Sequence, residues 1–283
     1  MATGLLNDLL LFEALKAATP DLQRKKTKVT DPEVRRRILA EPEWTMRAAG
    51  LEPDAWQVEA LRSTQSILLN VHRQGGKTEC AAGVALATAI PQRALVLLIS
   101  PSLRQSQELF RDVMDLWAAM GRPCDAKKES ALRLELRNGS RILSLPGAER
   151  TIRGYSGVSL LILDEAARIP DELFHAVTPM LAVSGGRTMA LSTPFGKRGW
   201  FWKEWTEGQG WLKINRTADQ CPRITPDFLA MERVKKGERW FRQEYYGSFE
   251  EVEDAVFAAD DIMASLVDDL DAPVEAEDVV LWP

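Results

Sequence analysis

Four stretches of the chain are apolar almost without interruption: residues 66–71, 94–100, 159–163 and 187–192. Runs this short, and this rich in Leu, Ile and Val, read as strands covered on both faces, the pattern of a parallel sheet rather than a half-solvated one. Segments of helical period separate them, at 76–90, 103–119 and 171–182, and that alternation predicts crossover units. Between the second and third runs, Leu132 to Leu136 and Arg141 to Leu145 flank Arg137-Asn138-Gly139-Ser140, where Asn-Gly predicts a β-hairpin. Further helices are expected at 225–236 and 238–246, in a segment containing Trp240, Phe241, Tyr245 and Tyr246. The pattern predicts an α/β fold, a mostly parallel central sheet flanked by helices, with a small helical C-terminal subdomain. Residues 1–50 read as an N-terminal helical segment and 51–249 as the main domain, with its helical subdomain at about 217–249. Residues 250–283 read as an acidic linker with a short helix near 258–269, or as the beginning of a domain that the chain does not continue.

Composition narrows the class. At 283 residues, 45% hydrophobic and 27% charged, the chain has an ordinary globular composition with room for one sizeable core. No stretch reaches the ~18 apolar residues of a bilayer span. Asp8 and Glu13 interrupt the N-terminal apolar run, which has no basic start, so neither a membrane partner nor a secretory leader is expected. Three widely spaced cysteines and two histidines support neither a disulfide framework nor a zinc site, and reduced thiols fit a cytosol. The net charge of −5 conceals an asymmetry. Residues 250–283 hold twelve of the 41 acids and no Lys or Arg, leaving 29 acids against all 36 bases in residues 1–249. A basic body is compatible with a polyanionic partner. Arg24-Lys25-Lys26, Lys28 and Arg35-Arg36-Arg37 can meet nucleic-acid phosphates, although a solvated helix face is the commoner use of such runs.

The chemistry concentrates after the first apolar run. Arg73-Gln74-Gly75-Gly76-Lys77-Thr78 follows it and opens an Ala-rich helical segment, the strand, glycine loop, helix order of a phosphate-binding loop. Small residues let backbone N–H groups close on phosphates, Lys77 can reach the β/γ oxygens, and the Thr78 hydroxyl can complete a Mg²⁺ shell. Only the back half of G-x-x-x-x-G-K-[ST] is present, since the leading glycine falls at Val71. A second motif supports the reading: Leu160-Leu161-Ile162-Leu163-Asp164-Glu165 delivers two acids at the carboxyl edge of a buried strand, where α/β proteins bind ligands. Asp164 is expected to hold Mg²⁺ and Glu165 to act as general base toward water. The expectation is a P-loop NTPase using ATP, with the loop and the acids at the tips of adjoining strands.

The order of motifs closely resembles the ATPase domain of the large terminase subunit of tailed bacteriophages, over roughly residues 45 to 260. It is carried by Asp54-Ala55-Trp56-Gln57, the loop at 73–78, Ser100-Pro101-Ser102, Ile152-Arg153-Gly154-Tyr155 before the Asp164-Glu165 strand, and Leu191-Ser192-Thr193-Pro194-Phe195-Gly196 after the next one. In that family an Arg-Gln pair usually stands ahead of Gly-Lys-Thr in place of the first glycine. The resemblance implies that Gln57 recognises adenine through its amide, that Arg73 contacts the γ-phosphate region, and that Gln74, Gly75 and Gly76 cradle the phosphates. It also implies that Ser192 and Thr193 bond the γ-phosphate or the attacking water. Arg153, with Arg150 and Arg168 as competitors, is the candidate finger acting across a ring interface. The implied function is a motor moving double-stranded DNA into a prohead, as a homo-oligomeric ring with a viral portal and a small terminase subunit, in the cytoplasm of an infected bacterial host. Full-length members continue into an RNase H-like nuclease, and the thirty-four residues after Phe249 are too few for one, so no nuclease activity is expected of this chain. Two other readings share part of the pattern: a helicase-like nucleic-acid translocase, and a nucleotide-gated assembly module that does not hydrolyse.

Overall fold

The computed structural model describes residues 30–147, 152 and 154–251. The expected tail helix, the Arg24 to Lys28 basic patch, Arg150 and Arg153 lie outside them. Two short helices, α1 (Pro32–Ala40) and α2 (Trp44–Arg47), lead to α3 (Ala55–Arg62) and the first strand, β1 (Ser66–Val71). Asp31 starts α1 by accepting the Glu33 N–H at 2.8 Å, with Pro32 at the position where a missing N–H is harmless. Then follow α4 (Lys77–Ala89), β2 (Leu95–Ser100) and α5 (Leu103–Ala119), a hairpin region β3 (Ala126–Ser130), β4 (Arg133–Leu136) and β5 (Arg141–Pro146), and the strand β6 (Leu160–Asp164). The chain continues through α6 (Asp171–Val177), β7 (Arg187–Ser192), α7 (Gly199–Thr206), β8 (Trp211–Arg216), α8 (Pro226–Lys236) and α9 (Glu238–Tyr246).

The eight strands form one sheet in the order β3-β4-β5-β2-β6-β7-β1-β8. Pairing is parallel from β5 through β8 and antiparallel in β3-β4 and β4-β5. The near-continuous apolar runs have a direct cause. Ile67, Leu69, Val71, Val96, Leu98, Leu160, Ile162, Met189 and Leu191 join α4 and α5 in one buried cluster. Their alternates Leu68, Leu97, Ile99, Leu161, Leu163 and Ala190 join α6 and α7 in another. Each strand thus serves two cores, and no position along it is free to be polar except at its ends.

Three features depart from the sequence reading. Edge strand β3 is Ala-Lys-Lys-Glu-Ser and almost wholly exposed, so it carries no apolar alternation to read, and its lysines blunt the edge. Edge strand β8 pairs in parallel with β1, Leu69 opposite Ile214. The expected helix at 171–182 ends at Val177 and continues as a 3₁₀ turn, Thr178–Leu181, because Pro179 has no N–H to extend the α ladder. The segment before β1 is part of the main core, since Ile38 and Met46 are buried in the α4/α5 cluster. The helical subdomain has a separate small cluster of Ala218, Leu229, Phe241 and Tyr245. Among the described residues no helix is long and apolar enough to cross a membrane.

Candidate active site

The turn between β1 and α4 comprises His72 to Gly76. Gly75 has no room for a side chain: a Cβ there would lie 2.5 Å from Val71 Cγ1 and 3.0 Å from the His72 carbonyl oxygen. Gln74 takes a left-handed φ of 59° and Gly76 one of 82°, which swing the backbone so that the first N–H groups of α4 end the loop, an anion-binding arrangement. Lys77 is folded under the loop, its Nζ donating to the carbonyls of Val71 at 2.7 Å and His72 at 3.1 Å. Burial lowers its pKa, and the charges of Glu165 and Asp164 oppose that shift.

The acids stand at the end of β6. Glu165 adopts φ 49°, a left-handed conformation that costs a non-glycine residue on the order of 1 kcal/mol and is typically retained where function requires it. Asp164 is deeply buried, and that burial, reinforced by the charge of Glu165, raises its pKa to about 7. The expectation that the loop strand and the acid strand adjoin is not met. Strand β7 lies between them, with Asn70 of β1 opposite Ser192 and Asp164 of β6 opposite Leu191.

Arg73, Gln74, Lys77, Thr78, Asp164 and Glu165 line one cavity of about 430 Å³ at this carboxyl edge. Its other wall is α5, through Gln105, Glu108, Arg111 and Asp112. The sequence does not single out Asp112, whose signal there is only helical spacing with Gln105 and Glu108. Burial raises its pKa to about 6, helped by Glu79 and Asp115.

The family described as "Terminase large subunit, T4likevirus-type, N-terminal" matches residues 69–264, well over half of the chain and the whole span from loop to acids. The chain belongs to this terminase family. It is 22% identical to the large terminase subunit of Escherichia phage T5 over 221 residues, 74% of this chain and 50% of that protein. It therefore spans about half the length of the curated relative it matches. Among solved structures, the ATPase domain of the Thermus phage P74-26 large terminase superposes with a TM-score of 0.64 at 22% identity, covering 72% of this chain and 96% of that one. The large terminase of another thermophilic bacteriophage, solved in complex with ADP, gives 0.55 at 13% identity, covering 73% and 52%. These likenesses share the α/β fold of this terminase chain.

The remaining residues singled out in the sequence fall as follows. Gln57 of this terminase is 5% exposed, with both ends of its amide occupied: Oε1 accepts the Asp54 N–H at 2.8 Å and Nε2 donates to the Gly76 carbonyl at 3.0 Å. In this arrangement it braces the phosphate loop, with one N–H of the amide and one lone pair of its oxygen not used by these two bonds. Ser192 is buried and its Oγ donates to the Thr193 carbonyl at 2.6 Å, while Thr193 is 6% exposed. Both stand at the end of the strand that separates loop from acids. Arg153 lies outside the described residues, and Arg168 holds Glu165 at 3.6 Å. A second cavity of about 400 Å³ opens on another side of the loop, lined by Trp56, His72, Gly75, Thr217 and Gln220 among others. Arg223 pairs with Asp54 at its rim, Nη2 to Oδ2 2.9 Å, and this guanidinium holds the Asp54 carboxyl below its ordinary range. Nothing local in the sequence identifies Thr217, Gln220 or Arg223, since they meet the loop only by folding.

Proposed function

We propose that the chain is the ATP-hydrolysing part of a motor that packages double-stranded DNA into a prohead. One observation carries this reading: Lys77, Asp164 and Glu165 line the same cavity, with the glycine turn beside them. The triphosphate lies along the loop N–H groups, with Lys77 toward the β/γ oxygens and Arg73 toward the γ-phosphate. The purine enters the second cavity beside Trp56, and the ADP complex of a relative of the same fold supports a nucleotide here. Glu165 takes the proton of a water whose oxygen bonds to the γ-phosphorus as the β,γ-bridging P–O bond breaks, leaving ADP and phosphate. The donor set of the Thr78 hydroxyl and the Asp164 carboxylate suits Mg²⁺, which prefers hard oxygens and keeps several waters. When bound, that ion neutralises charge on the β/γ oxygens. Ser192 and Thr193, on the intervening strand, bond to the γ-phosphate or the water and relay its loss through Pro194.

In the motor, copies assemble as a homo-oligomeric ring on a viral portal with a small terminase subunit, in the host cytoplasm, and Arg153 serves the neighbouring copy's site. DNA is held through its phosphates, so binding is insensitive to sequence and weakens with salt. The test is ATPase turnover of the chain with and without DNA across a range of protein concentrations. Glu165→Gln and Lys77→Ala should each lower turnover by about 10²–10⁴-fold, and turnover per chain should rise with concentration as the finger is donated. Wild-type turnover indistinguishable from Glu165→Gln would leave a binding module and end the motor reading.

A further inference from the structure

One buried hydroxyl close to the acids lacks a partner. Ser100 ends β2 with none of its surface exposed, and its Oγ makes no hydrogen bond among the described residues. Leaving a buried hydroxyl unbonded is costly, and such a group in a native structure calls for an explanation. The serines nearby are satisfied. Ser144, opposite Leu98, donates from Oγ to the Ser106 carbonyl at 2.8 Å, and Ser106 Oγ donates to the Leu145 carbonyl at 3.1 Å.

The register of the sheet places Ser100 beside Asp164. Ile99 stands opposite Leu163, so the next residues along, Ser100 and Asp164, are neighbours at the carboxyl ends of β2 and β6. Side chains alternate along each strand: Leu98 and Ile162 belong to the α4/α5 cluster, Ile99 and Leu163 to the other. Ser100 and Asp164 therefore both project toward α4 and α5. Adjacent strands lie about 4.8 Å apart, and rotation about χ1 of a serine sweeps its oxygen across part of that gap. Asp164 lines the phosphate cavity, and Ser100 stands behind it out of reach of solvent.

We propose that Ser100 is a positioning residue whose hydroxyl donates to the Asp164 carboxylate and aims it at the divalent cation of the nucleotide. The inference rests on reading the cavity as a site for a nucleotide with Mg²⁺. A carboxylate that ligates a metal keeps lone pairs for other donors, and a fixed donor there stops the ligand from swinging away. The Glu165 backbone supplies one such hydrogen bond to Asp164. Ser100 supplies another from the neighbouring strand.

Mn²⁺ binding to the whole 283-residue chain at saturating ADP, followed by electron paramagnetic resonance of the free ion, tests this. Ser100→Ala should weaken Mn²⁺ binding about tenfold, while ADP binding without divalent cation changes by less than about twofold. The thermal midpoint should stay or rise, because an unbonded hydroxyl has been removed. The Mn²⁺ loss should disappear in an Asp164→Asn background. Unchanged Mn²⁺ affinity in Ser100→Ala overturns the proposal. So does an equal loss when Asp164 is Asn, or a loss of cation-free ADP binding as large as that of Mn²⁺, since either makes Ser100 a packing residue. Should Ser100→Ala not fold, Ser100→Cys, whose thiol is a weak donor, carries the same expected loss of Mn²⁺ affinity and the same refutation. A wild type that binds no Mn²⁺ in the presence of ADP defeats the cation site of the proposed function, and this proposal with it. A wild type that binds both, with Ser100→Ala unaffected, ends this proposal alone.

Discussion

The central sheet and the C-terminal helical subdomain of this chain are held by different forces. The sheet is covered on both faces by extensive apolar clusters, whereas the subdomain's own cluster consists of four buried hydrophobic residues. It is attached to the rest by three polar ties, the Arg73 N–H to Glu244, Asn70 to Gly247, and Arg223 to Asp54, and by Phe249, which packs against Phe201 and Trp205. Apolar burial is non-directional and cooperative, while a few hydrogen bonds and a surface ion pair are individually worth about 1 kcal/mol or less. The rigid region therefore holds Lys77, Asp164 and Glu165 in place, and the weakly attached region is the one able to respond to what occupies the cavity.

The contrast can be broken at its strongest point first. Leu98→Ala, in the middle of β2, should lower the global unfolding free energy by about 2–5 kcal/mol, read by chemical denaturation. Phe241→Ala removes a comparable side chain from the subdomain, yet it should leave that main transition nearly unchanged and instead open residues 217–249 to limited proteolysis. A common loss in both variants would mean that the two regions unfold as one.

Asp164→Asn tests the cost of the site itself. Because burial raises the Asp164 pKa from 3.8 to about 7, the neutral acid favours the fold. Its contribution is complete below about pH 4 and is lost as pH rises through 7. At pH 8 the Asn variant should therefore be the more stable, by an amount on the order of 2 kcal/mol. The difference should shrink toward pH 4. A variant less stable than the wild type at pH 8 would contradict the assignment. The smallest effect is expected at the rim of the second cavity. Arg223→Ala removes a half-exposed pair worth about 0.2–1 kcal/mol, so nucleotide affinity should fall by no more than about fivefold with the unfolding midpoint unmoved.

Much of the scaffold is legible in the chain because burial on both faces leaves a contiguous trace. The strands at 66–71 and 187–192 and the helix at 103–119 coincide with the apolar pattern. The hairpin is equally legible through Asn138-Gly139, but β3 beside it is not, because a charged edge strand is stabilised by its neighbour's backbone rather than by its own side chains. The aliphatic alternation of Leu212 and Ile214 in β8 is readable, but it is too short to separate from a loop. Within the site, the glycine turn and the acid pair are visible as local motifs.

The alternating architecture, the phosphate-loop turn and the placing of two acids at a strand end are all written in the order of residues, since each depends on neighbours in the chain. Folding in three dimensions was needed to set β7 between β1 and β6, to bring Asp112 to the cavity on α5, and to bond the Gln57 amide to the loop. It also brought Glu244 to Arg73 from a distant part of the chain. Such contacts follow from the order in which strands pack and from the need of every buried polar group for a partner, and neither leaves a mark in the spacing of residues.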